Sequence, residues 1–390
     1  MSDDAPTRQV APTRRDTIKY GTALVGSGLV AGCVGNDSTG TPDETPDTDD
    51  GHSVSMEPVG TVEFESVPEQ WLAYTGDYAD MGVALGQADG LEAIGVRARF
   101  GTHYYEELPG VAVDDEALTQ LWNDGTDKEV FYELDPDVNV VDPNFMVNRL
   151  GLSEADVEEI RDNVAPFVGN MIFRRSDSWH DYRYYTLYQA FERIATLFQQ
   201  RDRYEAFSDL HEEYIADIQS RLPPASDRPS VMLTYEGTDE PETFSPYRLT
   251  DQGTSKKQWN DLGVSDALAG TGIENLSTEN RDELDYENLL EVDPDVLLVR
   301  GHEDKSASEF RETVLAYMQE HSVGSELTAV QNERVYRGGY LRQGPIQNLF
   351  LTERAAQQLF PGEFGEVTGD QQLFDRQRVA DIVNGGGENE

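Results

Sequence analysis

The chain has 390 residues, with 75 Asp and Glu against 30 Lys and Arg and a formal net charge of −45. So acidic a composition excludes nucleic acid as a partner, while 4 Trp, 18 Tyr and 15 Phe set in regular apolar periodicity exclude a disordered body. Self-repulsion on this scale is relieved at about 1 M salt, where the Debye length falls to about 3 Å, so the chain reads as halophilic.

Residues 1–32 read as a twin-arginine export signal. Thr13-Arg14-Arg15-Asp16-Thr17-Ile18-Lys19 precedes a Gly- and Ala-rich apolar stretch from Tyr20 to Ala31, shorter than the roughly 20 residues of a spanning helix. The stretch ends in Leu29-Val30-Ala31-Gly32-Cys33, which resembles a lipobox. Cys33 is the only cysteine, so an internal disulfide is excluded and Cys33 is the expected lipidation site. Residues 33–58 have almost nothing apolar to bury and read as a disordered acidic tether. The expected location is the cell surface, lipid-anchored on the outer face of the cytoplasmic membrane.

In the body, residues 61–66 alternate like a first strand, residues 71–85 carry a helix closed by Gly86, and residues 91–96 form a second strand. A helical signal then runs from Tyr185 to Leu222, its apolar positions stepping by three or four and ending at Pro223-Pro224. As one helix it would be about 55 Å long and would join two lobes; the alternative is two helices broken near Gln200-Arg201-Asp202. Strands follow at 230–235 and 334–337, short helical pieces at 257–263 and 266–268, an amphipathic segment at 309–318, and a closing helix at 345–359 with Pro345 in its first turn.

Two segments are near-copies in register over 13 positions, Glu129 to Val141 and Glu287 to Val299, 158 residues apart. Each reads as a helical turn, an Asp-Pro-Asp corner and a β-branched strand. That offset is too long for a solenoid repeat and marks two equivalent lobes. Two facing lobes make a cleft, and clefts bind ligands. The predicted fold is α/β: an N-terminal lobe (59–184) and a C-terminal lobe (223–362), each with a central, mostly parallel sheet, joined by one long backbone helix (185–222) and followed by an acidic tail (363–390).

These segments, the connecting helix, and Ala329 to Tyr336 followed by Gly344-Pro345 and a final helix together resemble the class III substrate-binding proteins of ABC importers for ferric siderophores, haem and cobalamin. The N-terminus gives them the form of a haloarchaeal-type twin-arginine lipoprotein. The resemblance implies a monomer that captures a metal chelate, most simply a ferric siderophore, and delivers it to an ABC permease and its ATPase; cobalamin or haem is the alternative ligand. It also implies that Glu129 and Glu287, one per lobe, dock onto permease arginines. The spacing from Thr126 to Glu129 also fits a capping box, which Glu287 lacks.

Ligand is expected at the strand ends between the lobes. The first lobe offers Trp71, Arg97, Arg99, Phe100, Tyr104, Tyr105, Asn144, Phe145, Arg174, Arg175, Trp179 and Tyr182 there, and the second offers Tyr247, Arg248, Arg300, His302, Tyr340 and Arg342. Arginine beside aromatic rings suits a large, anionic, partly flat ligand. The six histidines are scattered and direct metal ligation is not expected; the nearest candidates are the pairs Tyr104-Tyr105 and Tyr184-Tyr185 for ferric iron and His103 or His302 for haem. No cofactor is expected. With no nucleophile elbow, phosphate loop or Cys-His arrangement, the chain is not expected to be an enzyme. The rival from another class is a surface binding protein that signals without transport.

Overall fold

The computed structural model describes residues 51–251, 253–277, 279–367 and 371–385. The export signal, Cys33 and most of the expected tether lie outside the described residues. The tether is not as long as expected. His52–Met56 (β1) pairs antiparallel with Gly60–Phe64 (β2), and Val54, Met56 and Val62 enter the core against helix Leu187–Leu197. Period-two alternation in His-Ser-Val-Ser-Met makes this strand, which the acidic run before it obscures. The expected first strand is therefore half of a hairpin outside both lobe sheets.

The first lobe holds a parallel sheet of β3 (Trp71–Ala73), β4 (Leu91–Ile94), β5 (Thr119–Gln120) and β6 (Val138–Val140), in the order β5-β4-β3-β6. The helix expected from residue 71 starts only at Gly76. Trp71, Leu72 and Ala73 are all buried and form the central strand, because a continuous apolar run serves a two-sided sheet as well as a buried helix. Gly82, on helix Gly76–Ala84, is where that helix meets the strand. A Cβ there would stand 2.3 Å from the Trp71 ring.

The second sheet has β7 (Ser230–Tyr235), β8 (Ser245–Tyr247), β9 (Ser265–Asp266), β10 (Val296–Arg300) and β11 (Val335–Arg337). Its order is β11-β10-β7-β8, with β9 also on β7 and only β8 antiparallel. All five residues of β10 are buried.

The repeated segments are structurally equivalent. Helices Glu129–Leu134 and Tyr286–Val292 end at Asp135 and Asp293, both left-handed with φ of 49° and 42°, a conformation that short polar side chains tolerate. The last Asp of each corner then clamps the start of the neighbouring central strand. Asp137 accepts the Glu69 and Gln70 N–H groups at 2.9 and 3.0 Å, and Asp295 accepts the Ser230 N–H and hydroxyl, both at 2.8 Å. The sequence repeat is thus a repeated strand-registering device. Its caps differ from expectation. The box sits on the second copy, between Asp285 and Asn288, whereas in the first the Glu129 N–H bonds Asp127 and the residue before it provides no side-chain cap.

The single connecting helix is two helices, Leu187–Leu197 and Arg201–Arg221. Gln199 between them takes φ of +52°, and the turn buries Phe198 edge-on to Trp71 at 5.3 Å. The 21-residue second helix, about 32 Å long, packs on Leu187–Leu197 and on helices of both lobes, Gly76–Ala84 and Pro345–Leu359. Nor does an acidic tail begin at 363. Helix Arg376–Val383 buries Arg376, Val379, Ala380 and Val383 and packs on Arg201–Arg221, closing the core behind the lobes.

Candidate ligand-binding cleft

A cavity of about 730 Å³ opens between the two lobes. The loops that line it leave the carboxyl ends of the strands, the usual ligand position in parallel α/β sheets. From the first lobe come Tyr74 after β3, Arg99 after β4, Trp122 after β5, Phe145 and Arg149 on helix Pro143–Arg149 after β6, and then Phe173 and Arg174. From the second come Tyr235 and Tyr247, the 276–283 loop with Arg281 and Glu283, the turn after β10 with Arg300, Glu303 and Asp304, and Tyr340 to Arg342 after β11.

Buried polar groups hold this lining in place. Asp142 caps helix Pro143–Arg149 through the Asn144 and Phe145 N–H groups and also accepts the Met171 N–H at 2.7 Å and the Tyr182 hydroxyl at 2.6 Å; burial raises its carboxyl to about 6. Between lobes, the Thr254 and Ser255 N–H groups bond the Ile172 and Phe173 carbonyls at 3.0 and 3.2 Å. Asp80 on the first-lobe helix accepts the Ile346 and Gln347 N–H groups of the second-lobe helix Pro345–Leu359 at 2.8 and 3.2 Å, and the Tyr105 hydroxyl at 2.7 Å.

The wall is cationic. Arg174 is matched by a two-point pair with Asp177 at 2.5 and 2.6 Å. Arg300, 2 % exposed, donates to the Gly338 and Ser255 carbonyls and faces the Tyr247 and Trp259 rings at 5.0 and 5.4 Å, with its Nη1 unpartnered among the described residues. Arg342 lies over Phe173 and Phe145 at 4.9 and 5.7 Å, its Nε likewise unpartnered. Burial lowers both guanidinium groups to about 10; Asp77 opposes this at Arg342, while Arg99 and Arg174 add to it. Burial, then repulsion from Arg174 and Arg281, lowers Arg149. Behind the wall, fully buried Lys256 pairs with Asp251, yet burial still brings it down to about 8. Burial alone would raise Glu303, but Arg354 and Arg337 outweigh it and hold the carboxyl below its ordinary value; Arg354 bonds it at 2.8 Å.

Of the expected ligand residues, Arg99, Phe145, Arg174, Tyr247, Arg300, Tyr340 and Arg342 line the cleft. Others are structural. Trp71 is a core residue donating to the Gln87 carbonyl at 3.0 Å, Phe100 and Tyr105 are buried, and Tyr104 stacks on Phe350 behind Tyr340. Arg97 turns to the Glu116 carbonyl, Arg175 lies over Tyr184, Arg248 pairs with Asp266, and Trp179, Tyr182 and Asn144 support the Pro143–Arg149 helix rather than face the cavity. His103 and His302 lie outside the lining; the first packs on Tyr104 and the second on Phe310. Tyr184 stacks on His180 and Tyr185 is buried, so that pair serves packing. Sequence reasoning missed Tyr74, Trp122, Arg149, Phe173, Tyr235, Arg281, Glu283, Glu303 and Asp304. Tyr235, which ends a correctly placed strand, was the most accessible of these. Glu129 and Glu287 are both exposed, in the first turns of the equivalent helices. Among the described residues no group of three or more His, Cys, Asp or Glu is placed to hold a metal ion, and no described helix is long and apolar enough to cross a membrane.

Two α/β lobes enclosing a cation- and ring-lined cavity at their strand ends define a solute-binding protein. The family model for periplasmic binding proteins matches residues 72–339, and the chain belongs to that family, whose members bind solutes outside the cytoplasm without catalysis; it is the substrate-binding component of an ABC importer. Similar solved structures include the petrobactin-binding protein YclQ of Bacillus subtilis (15 % identity, 80 % of this chain and 99 % of that one, TM-score 0.56). Helicobacter pylori CeuE in a nickel–histidine complex (13 %, 82 % and 91 %, 0.55) and the heme binding protein HmuT (18 %, 83 % and 92 %, 0.54) are similar too. At these identities the likeness is one of fold. No curated protein matches the chain.

Proposed function

We propose that this protein captures a ferric siderophore or related iron chelate between its lobes and delivers it to the permease and ATPase of its importer. The observation that carries the reading is the cleft itself: six arginines interleaved with Tyr, Trp and Phe rings suit a bulky chelate whose oxygens pair with guanidinium and whose rings stack. The petrobactin-binding relative supports it. Haem is the second reading, because the same wall suits a flat macrocycle bearing two carboxylates, and a heme binding protein is among the similar structures; cobalamin is a further alternative of the same importer class. Trp122 in the lining supplies the test. Titrating one ferric chelate into the full chain is expected to quench tryptophan fluorescence saturably, and the iron-free form is not. A folded chain unmoved by ferric chelates, haem and cobalamin alike would overturn the reading.

The proposal extends to twin-arginine export, a lipid anchor at Cys33, a monomeric state, and docking of the permease through Glu129 and Glu287. Their exposure on equivalent helices, one per lobe, supports a partner that reads both lobes at once. Converting both to Arg is expected to abolish uptake in cells at unchanged chelate affinity. Normal uptake by the double variant would remove the docking role.

A further inference from the structure

The cleft concentrates positive charge in a molecule of net charge −45. Among the described residues, Arg99, Arg281, Arg300 and Arg342 form no ion pair. Of the three lining acids, Glu303 is already held by Arg354, Glu283 bonds the Thr243 hydroxyl at 3.1 Å, and Asp304 is exposed. A buried cation without a partner is costly, and an unpaired buried N–H adds the loss of a hydrogen bond. Arg300 is 2 % exposed with a free Nη1, and Arg342 presents a free Nε. Two such groups from different loops, both in the wall of one cavity, are the complement of a concentrated negative charge.

The lining contains no His or Cys. Burial pushes the phenols of Tyr74 and Tyr340 up. Glu303 and Glu283 are already engaged, and among the described residues no group of three or more His, Cys, Asp or Glu is placed to hold a metal ion, so the cleft suits the outer surface of a complex whose coordination is already filled. What it reads is the charge on that surface.

Resting on the chelate-binding reading above, we infer that this cleft selects by charge: it takes a multiply anionic metal chelate, with catecholate or carboxylate oxygens set against Arg300 and Arg342, and discriminates against neutral or cationic chelates of similar size. Screening at molar salt weakens exposed pairs but leaves a contact to the buried Arg300 largely intact, so the preference persists at high ionic strength.

Calorimetric titration of the full chain in molar salt, with gallium(III) tris-catecholate, ferric citrate and a ferric trihydroxamate, tests this. At least one of the two anionic complexes is expected to bind about 100-fold more tightly than the trihydroxamate, and the pair tells catecholate from carboxylate. Equal affinities, or a preference for the trihydroxamate, overturn the charge inference and leave the chelate reading standing. Binding of none of them by a folded chain that also ignores haem and cobalamin sinks both. Arg342→Gln is expected to lower affinity for the anionic complex about 50-fold and the exposed Arg281→Gln about 5-fold, each narrowing the gap to the trihydroxamate. Should Arg342→Gln fail to fold, Arg281→Gln still decides: an equal loss for anionic and trihydroxamate complexes means the arginine does not read charge and overturns the inference.

Discussion

Replacing Asp80 by Ala is expected to cost about 3 kcal/mol of unfolding free energy, because one buried carboxylate answers two orphan N–H groups at the start of a helix in the opposite lobe. The Ile346 and Gln347 N–H groups and the Tyr105 hydroxyl all converge on it. It faces Asp77 on its own helix, Gln347 and Tyr105 from packed elements, and Tyr188 from helix Leu187–Leu197. Burial raises its carboxyl from 3.8 to about 7. The folded state thus holds a proton that the unfolded state releases between roughly pH 4 and 7. The stability contributed by this group is complete below the unfolded value and is lost as pH rises through about 7, the reverse of a salt-bridged carboxylate. Asp142, raised to about 6, acts in the same direction. Asp80→Asn keeps an acceptor for the helix but cannot ionise. Its denaturation midpoint should therefore fall less between pH 5 and 8 than that of the parent chain. Parallel pH profiles for the two would show that Asp80 does not titrate in this range.

Arg376→Ala should be at least as damaging, at about 3–5 kcal/mol, since it strands a buried carboxylate. The guanidinium is 7 % exposed and lies between the Phe374 and Phe350 rings at 3.7 and 4.4 Å. Glu353 meets it at 2.6 and 3.1 Å, and Glu107 of the first lobe approaches to 3.5 Å. Exposed charge pairs elsewhere on the chain are worth far less. Arg376→Ala with Glu353→Leu, which removes the stranded charge as well, should recover part of the loss. Guanidinium denaturation of the parent and the two variants measures this, and an Arg376→Ala variant as stable as the parent would return residues 371–385 to the status of a dispensable tail.

The repeat made the architecture legible. Two copies of a helix, Asp-Pro-Asp corner and strand announce two lobes because each copy performs the same task, with Asp137 and Asp295 pinning the strand beside it. The cleft's arginines were partly readable for a related reason: in so acidic a chain a loop arginine is conspicuous, and Arg99, Arg174, Arg300 and Arg342 were all found. Aromatic residues were harder. Tyr105 and Trp71 bury their rings while Tyr74 and Trp122 reach the cavity, and the difference lies in which sheet face or loop each occupies. The helix break at Gln199 was legible only as the alternative to one long helix, and the C-terminal helix was missed, for another reason. Both depend on tertiary burial, of Phe198 in one case and Arg376 in the other, and local periodicity carries no signal of it.

The bonds that join the lobes also fix how often the cleft is open in solution. Parting the lobes breaks the Thr254 and Ser255 backbone bonds and uncaps helix Pro345–Leu359. At about 1 kcal/mol for each of these four bonds, roughly one molecule in a thousand stands open at any moment. A bound solute then leaves slowly by itself, its dwell time set by that rare excursion.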